Sequence, residues 1–552
     1  MRSSRRNCYR PILSLVCTTM VENKHLHDDL ASNAARVTVD TAFGPVVGGR
    51  AINGAVVFLE IPYALPPRRF EDPIALPKGY RYARKEYIQE TAYGVQPLND
   101  GQAAGGAFED KVGFGKPSEN PLFLNIAIPP SFPKKKGFPV KVYIHGGFLQ
   151  FGSPHSFSSQ AQYIAAERSE IWVNIGYRLS AFGFIASDRP KLTGNYGFKD
   201  QWLALEWIKA NIEAFGGDPS DIQLTGLSAG AHSVHQILHH ASILPKGKLA
   251  PFTTAVLQSN AIITDPKTPA ELRPQFDALC RALKLDPEAP NILATLKDPI
   301  KVPWKSITEI IESEDFGKYG TFRGCLSDDW ITVKPGPMEW QHSGLFARAL
   351  KEHGVRSIVV GDLTEEWYLY SIAHPIRTPR DILPNLERYF PTNVARKMID
   401  AFPRLSDGAG SDECVRLYGD IMSCGQVHLP VRLMARDLEA SGFPVLRYEI
   451  RWTPEQHRPF GYVTHGCDRI IWALRIPSLQ PDQAEVARAW LDRIAEELKA
   501  VESSKSRHGA QNMLTLKEDK TIGWTVDEKW GSLMELEKKV LDSKGKIIRS
   551  SL

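Results

Sequence analysis

The sequence predicts an α/β fold, with a large, mostly parallel sheet flanked by helices and interrupted by helical insertions. Three observations predict it. The runs "FPVKVYIHGG" and "SEIWVNIGYR" are compact, rich in Val, Ile and Tyr, and end in turn signals, as strands buried on both faces do. The stretch "KDQWLALEWIKANIEAFGG" has apolar residues at helical spacing and stops at Gly216-Gly217. Finally, "DIQLTGLSAGAHSVHQIL" reads as strand, sharp turn and helix without a break.

The remaining elements follow in chain order. Residues 1–34 read as a polar, poorly ordered leader. From "RVTVDTAFGPVVGG" onward, apolar and polar residues alternate with Gly and Pro between them, which predicts antiparallel strands. Further strands are expected at "FTTAVLQS", "VRSIVVGD" and "FPVLRYEI", with helical material between them, and "AEVARAWLDRIAEELKAVESS" is a late amphipathic helix. No internal repeat and no dividing linker occurs, so residues 35–545 are expected to form one domain with large insertions, followed by a tail at 546–552.

Composition excludes several function classes. A net charge of +4 over 552 residues is too small for a nucleic-acid binder, whose basic residues would cluster on one face. The seven cysteines (Cys8, Cys17, Cys280, Cys325, Cys414, Cys424 and Cys467) show no zinc spacing, and an odd number cannot all pair. Cys414 and Cys424 are close enough in sequence to bridge, or to stay free. No segment reaches the ~20 apolar residues of a membrane span, so no stable membrane anchor is expected. The opening "MRSSRRNCYRPILSLVCTTMV" imitates a secretory signal, but Pro11, Ser14, Thr18 and Thr19 interrupt its apolar run. The chain also carries no N-x-S/T sequon. An intracellular protein is expected, with secretion as the alternative if that run acts as a signal.

The chemistry centres on "GLSAG", residues 226–230. A serine hydroxyl needs a histidine base and an acid that orients it. Where a serine sits on a strand–turn–helix elbow, the acid and then the histidine follow at later strand ends. "SIVVGDLTEEWYLY" supplies Glu365 and Glu366 just past a strand, with Asp362 close by. "FGYVTHGCDRIIWA" supplies His465 on a Gly-bordered loop beyond what reads as the last good strand. The oxyanion of a tetrahedral intermediate would take backbone N–H donors from Ala229 and from "HGGF", residues 145–148, after the strand "VKVYI".

These residues bring the chain into resemblance with the type-B carboxylesterases and lipases, the α/β-hydrolases that include cholinesterases and fungal lipases. The resemblance rests on "FLEIPYALPP" (58–67), "SENPLFLNI" (118–126), "YIHGGFLQFGS" (143–153) and "YRLSAFGF" (177–184). The long block "GNYGFKDQWLALEWIKANIEAFGGDPSDIQLTGLSAG" (194–230), "LQSN" (257–260) and "VTHGCD" (463–468) complete it. It implies Ser228 as nucleophile, His465 as base and Glu366 as triad acid, five residues after Gly361. It implies Gly146, Gly147, Phe148 and Ala229 as the oxyanion hole.

Four departures bear on specificity. Leu227 stands where the family usually has Glu, which disfavours a cationic substrate such as a choline ester. Phe148 replaces the third glycine of H-G-G-G. Pro121 stands where the family often has a cysteine, so the usual disulfide near the site is expected to be missing. Trp367 replaces the glycine after the acid.

Other candidates have plainer readings. His232, His235 and His239 share a helical face, but no carboxylate or zincin pattern accompanies them, so no metal is expected. Cys467 reads as packing and Asp468 as support for the histidine loop or an exposed charge. Phe322 and Trp330 fit either core or pocket wall. The expected function is a cofactor-free serine ester hydrolase acting on a small-molecule ester through an acyl-enzyme. The alternatives are a pathway-specific hydrolase or acyltransferase for a lactone or thioester, and a noncatalytic binding protein of the same fold.

Overall fold

The computed structural model describes residues 24–98, 107–327, 329–332, 334–406, 408–503 and 508–541. Their main sheet starts with an antiparallel arm. β1 (Arg36–Thr41) and β2 (Gly44–Arg50) form the expected hairpin, extended by β3 (Val56–Pro62) and β4 (Phe123–Ile128). The remaining strands are β5 (Phe138–Ile144), β6 (Ile171–Ile175), β7 (Gly217–Leu227) and β8 (Thr254–Gln258), then β9 (Ser357–Leu363), β10 (Val445–Ile450), β11 (Asn512–Leu516) and β12 (Ile522–Val526). Their spatial order is β1-β2-β3-β4-β6-β5-β7-β8-β9-β10-β11-β12. From β6 across to β11 every pairing is parallel, and β12 returns antiparallel.

Parallel strands covered on both faces need apolar side chains on both, which is why these runs do not alternate. β9 shows the result: all its residues are buried, with Ile358 and Val360 in one core and Val359 and Leu363 in the other. The late helix, Pro481–Glu502, lays Ala487, Trp490 and Ile494 into the second core. No helix of the described residues is long and apolar enough to cross a membrane.

Two expectations need correction. Within the 1–34 leader, residues 1–23 lie outside the described residues, but Leu26–Ser32 is a helix that buries Leu30 completely. Asp29 anchors it by accepting a 2.9 Å hydrogen bond from the Ile52 amide. The strand before His465 is also not the sheet's last. β11 and β12 follow the late helix, in a region where the sequence pattern predicts no strand. Each is only five residues long, and "KEDK" in the turn between them masks their apolar character. The tail at 546–552 lies outside the described residues, as do Cys8 and Cys17.

A buried ion cluster ties the parallel edge together. Asp362 on β9 accepts from Arg432 Nη1 at 2.7 Å and pairs with His428 Nδ1 at 2.7 Å, while Arg432 also reaches Asp527. Burial pushes the Asp362 carboxyl up, but the Arg432 and His428 charges outweigh it and hold it well below the usual carboxylate range. Asp362 is thereby committed to structure.

Candidate active site

The strand-to-helix turn after β7 places Ser228 at φ 59°, ψ −123°, a conformation non-glycine residues rarely adopt. Its neighbours make room for that turn. A Cβ on Gly226 would stand 2.3 Å from the Gly230 backbone, and one on Gly230 would stand 2.0 Å from the Ile144 carbonyl oxygen. Any side chain at either position would push the elbow off the sheet. The Ser228 amide donates to the Gln258 carbonyl at 2.8 Å, fastening the turn to the end of β8.

The acid and the histidine come from the ends of β9 and β10. Glu366 is fully buried, and its Oε2 lies 2.6 Å from His465 Nδ1. Its Oε1 accepts from the Leu363 amide at 2.9 Å, so both carboxylate oxygens are engaged and the group cannot rotate freely. A carboxylate opposite Nδ1 places the ring proton there and leaves Nε2 as the acceptor nitrogen. His465 Nε2 is buried and has no partner among the described residues.

The two neighbouring acids make different contacts. Glu365 Oε2 accepts from the Val463 amide at 2.7 Å, and the Glu365 amide donates to the Val463 carbonyl at 3.1 Å. Glu365 thus clamps the loop that carries His465, while Glu366 holds its ring. Trp367 opens a short helix, Trp367–Ser371, and lies between Tyr462 at 5.0 Å and the Arg416 guanidinium at 3.9 Å from the ring centroid.

Ser228 and His465 line a single cavity of about 480 Å³ with Gly146, Gly147 and Phe148. Gly146 comes close enough that a Cβ there would sit 3.1 Å from Ser228 Cβ. The N–H groups of Gly146, Gly147 and Phe148 take no acceptor among the described residues. Phe148 adopts φ 57° without being a glycine. Its buried ring, 6.0 Å from each of Tyr370 and Tyr389, supplies the packing that holds it there. Ala229 begins the helix Ala229–Ser242 directly after Ser228. Leu227, Phe151, Phe157 and Leu369 make the walls largely apolar, and the volume suits a small ligand.

The other candidates fall outside this cavity. Phe322 and Trp330 are buried core residues, the latter stacked on His240 at 3.7 Å. His235 donates from Nε2 to Gln341 at 2.8 Å, accepts from the Ile262 amide at 3.0 Å, and stacks on His239. Among the described residues no group of three His, Cys, Asp or Glu could hold a metal ion. Cys414 and Cys424 are both free thiols, and burial pushes the Cys467 thiol up to about 12.

Asp468 has a role that the sequence pattern did not specify. It is fully buried beside the histidine loop, with Oδ2 accepting from Trp472 Nε1 at 2.9 Å and Oδ1 unpartnered among the described residues. Burial, and then the charge of Glu366, raise its carboxyl to about 6. The folded protein therefore holds this proton more tightly than the unfolded chain does, and ionised Asp468 costs stability above pH 6. That cost is relieved as pH falls from about 6 toward 4. Asp468→Asn is expected to raise unfolding stability by about 2–3 kcal/mol at pH 8, with the gain shrinking by pH 4.5. Denaturant melts at the two pH values check this, and an equal gain at both would contradict it.

Comparisons with known proteins bear on the family and the fold. Residues 35–323 match the model of the carboxylesterase family. An uncharacterized esterase/lipase of Schizosaccharomyces pombe is 28% identical over 499 residues, covering 86% of this chain and 90% of that protein. A carboxylic ester hydrolase of Gibberella moniliformis is 30% identical over 442 residues, covering 75% of this chain and 78% of that one. Among solved structures, a PNB esterase superposes with a TM-score of 0.71 at 21% identity, over 91% of this chain and 100% of its own, which establishes the shared fold. A matched segment that runs from the first strand through the Ser228 elbow, with relatives aligned over most of their length, makes this chain a member of the carboxylesterase family and a carboxylesterase-type hydrolase.

Proposed function

We propose that the chain hydrolyses small carboxylic esters through a Ser228–His465–Glu366 triad and an acyl-enzyme intermediate. The observation that supports this most is the buried Glu366–His465 pair, which leaves Nε2 without a partner among the described residues on a histidine that lines one cavity with Ser228. Ser228 Oγ attacks the ester carbonyl as His465 Nε2 takes its proton, and Glu366 stabilises the resulting imidazolium. The oxyanion is met by N–H groups of Gly147 and Ala229, with Gly146 and Phe148 alongside, each donor worth about 2.7–4 kcal/mol in the barrier. His465 then protonates the leaving alcohol and activates a water that releases the acid.

The apolar walls and Leu227 beside the nucleophile favour uncharged groups in this cavity over a cationic alcohol. Hydrolysis of a p-nitrophenyl series from acetate to palmitate tests the reading. The expected result is turnover with a preference for short to medium chains, together with covalent labelling of Ser228 by a fluorophosphonate. Labelling without turnover at any length would point instead to a lactone, a thioester or acyl transfer. The absence of both labelling and turnover would overturn the catalytic reading.

A further inference from the structure

A second and larger cavity, of about 580 Å³, shares no lining residue with the one at Ser228. His232, one helical turn after the nucleophile, lines it, and so does Tyr389, whose ring lies 6.0 Å from that of Phe148. The two spaces thus approach each other across Phe148 and Tyr389, and a third cavity touches both, lined by Phe148 and Phe151 at one end and by Tyr389 and Arg388 at the other.

Its lining is cationic in an unusual way. Arg323 places Nη2 3.3 Å from His232 Nδ1 and stacks its guanidinium 5.2 Å from the Tyr389 centroid. Arg388 donates to Asn385 Oδ1 at 2.8 Å and to Thr321 Oγ1 at 3.4 Å, and Lys267 donates to the Glu387 carbonyl at 2.9 Å. None of the three has an ion pair among the described residues. The acids around the cavity make their direct contacts elsewhere, although Glu271 and Glu387 still act on Lys267 through space. Glu387 pairs with Lys318 at 2.9 Å, Glu271 caps its own helix at Thr268, and Asp265 accepts from the Met338 amide. Gln236 lines the same space, fully buried, with neither amide atom partnered among the described residues.

Arg323, Lys267 and Arg388 are half-buried, and cations drawn out of water without a directly paired acid are costly and favour an anion beside them. Burial pushes Arg323 and Lys267 down, and it lowers the His232 imidazole further, so the histidine adds no charge. We infer that this cavity is a binding site for an anionic group, a carboxylate or phosphate, seated on Arg323, Lys267 and Arg388. The planar guanidinium of Arg323 suits either oxyanion by paired N–H donors, and the Gln236 amide adds a neutral donor at the wall.

The site stands independently of the Ser228 reading, and calorimetry on the Ser228→Ala protein tests it without turnover. Succinate and inorganic phosphate are titrated separately at constant ionic strength. The expected result is saturable binding of at least one, weakened tenfold or more by Arg323→Gln and by Lys267→Gln. A second arm identifies the source of the anion. In the protein with Ser228 intact, kcat/KM for p-nitrophenyl hydrogen succinate is divided by that for p-nitrophenyl butyrate. A ratio that falls tenfold in Arg323→Gln places the anion on the substrate's acyl part. An unchanged ratio with lost succinate or phosphate binding places it on a separate small molecule. Failure to hydrolyse either ester would count against simple ester hydrolysis and leave the calorimetry to decide the anion site. Binding of neither probe with an unchanged ratio, or binding that survives both substitutions, would overturn the anion site.

Discussion

Ser228→Ala is expected to lower kcat for ester hydrolysis on the order of 10⁴- to 10⁶-fold while leaving the fold intact. The size follows from the way the three residues act together, since without the hydroxyl His465 and Glu366 have nothing to activate. The residual rate would come from the oxyanion donors and from binding alone. Stability should hardly change, because alanine keeps the Cβ that already tolerates φ 59° at this elbow, and the backbone N–H still donates to the Gln258 carbonyl. Steady-state kinetics with p-nitrophenyl butyrate and a thermal melt check both halves. Retention of more than a tenth of the wild-type kcat would remove Ser228 from the mechanism.

Glu366→Gln carries the second largest effect, a loss on the order of 10³- to 10⁴-fold in kcat. A glutamine can turn its NH₂ toward His465 Nδ1, which favours the tautomer with the proton on Nε2, the wrong nitrogen for a base. The Leu363 amide, which Glu366 Oε1 accepts at 2.9 Å, would still draw the amide oxygen to itself and reinforce that choice. Glu365→Gln is the matched control. Its oxygen can still accept from Val463, so kcat should fall only a few-fold. Equal losses in the two variants would mean that the division of labour between these neighbours is wrong.

Much of this site was legible in the chain because elbow chemistry is local. Ser228 needs glycines two residues away on each side, and that requirement is written into adjacent letters. The parallel strands were legible for a related reason, since covering both faces leaves unbroken apolar runs. The acid was harder to read. Glu365 and Glu366 have the same side chain and lie one residue apart, and only the direction of the turn decides which carboxylate meets the imidazole. The Asp362–Arg432–Asp527 cluster and the Arg323–Lys267–Arg388 lining draw on residues tens of positions apart, with no periodicity to announce them. The β11–β12 hairpin was missed because two short strands around a charged turn resemble a solvated helix end. Leu26–Ser32 was missed because one buried leucine per turn is a weak signal next to a polar leader.

The grip of Glu365 on Val463 has a consequence for anyone redesigning this enzyme. The acid and its neighbour leave one turn and seize one loop at two points, Val463 and His465, so the base is mounted like a hinge leaf held by two screws. Loosening position 366 is expected to strip the chemistry, whereas position 365 is the adjusting screw. Changes there would shift the imidazole relative to the nucleophile and could retune reach toward bulkier alcohols, with the proton's partner left in place.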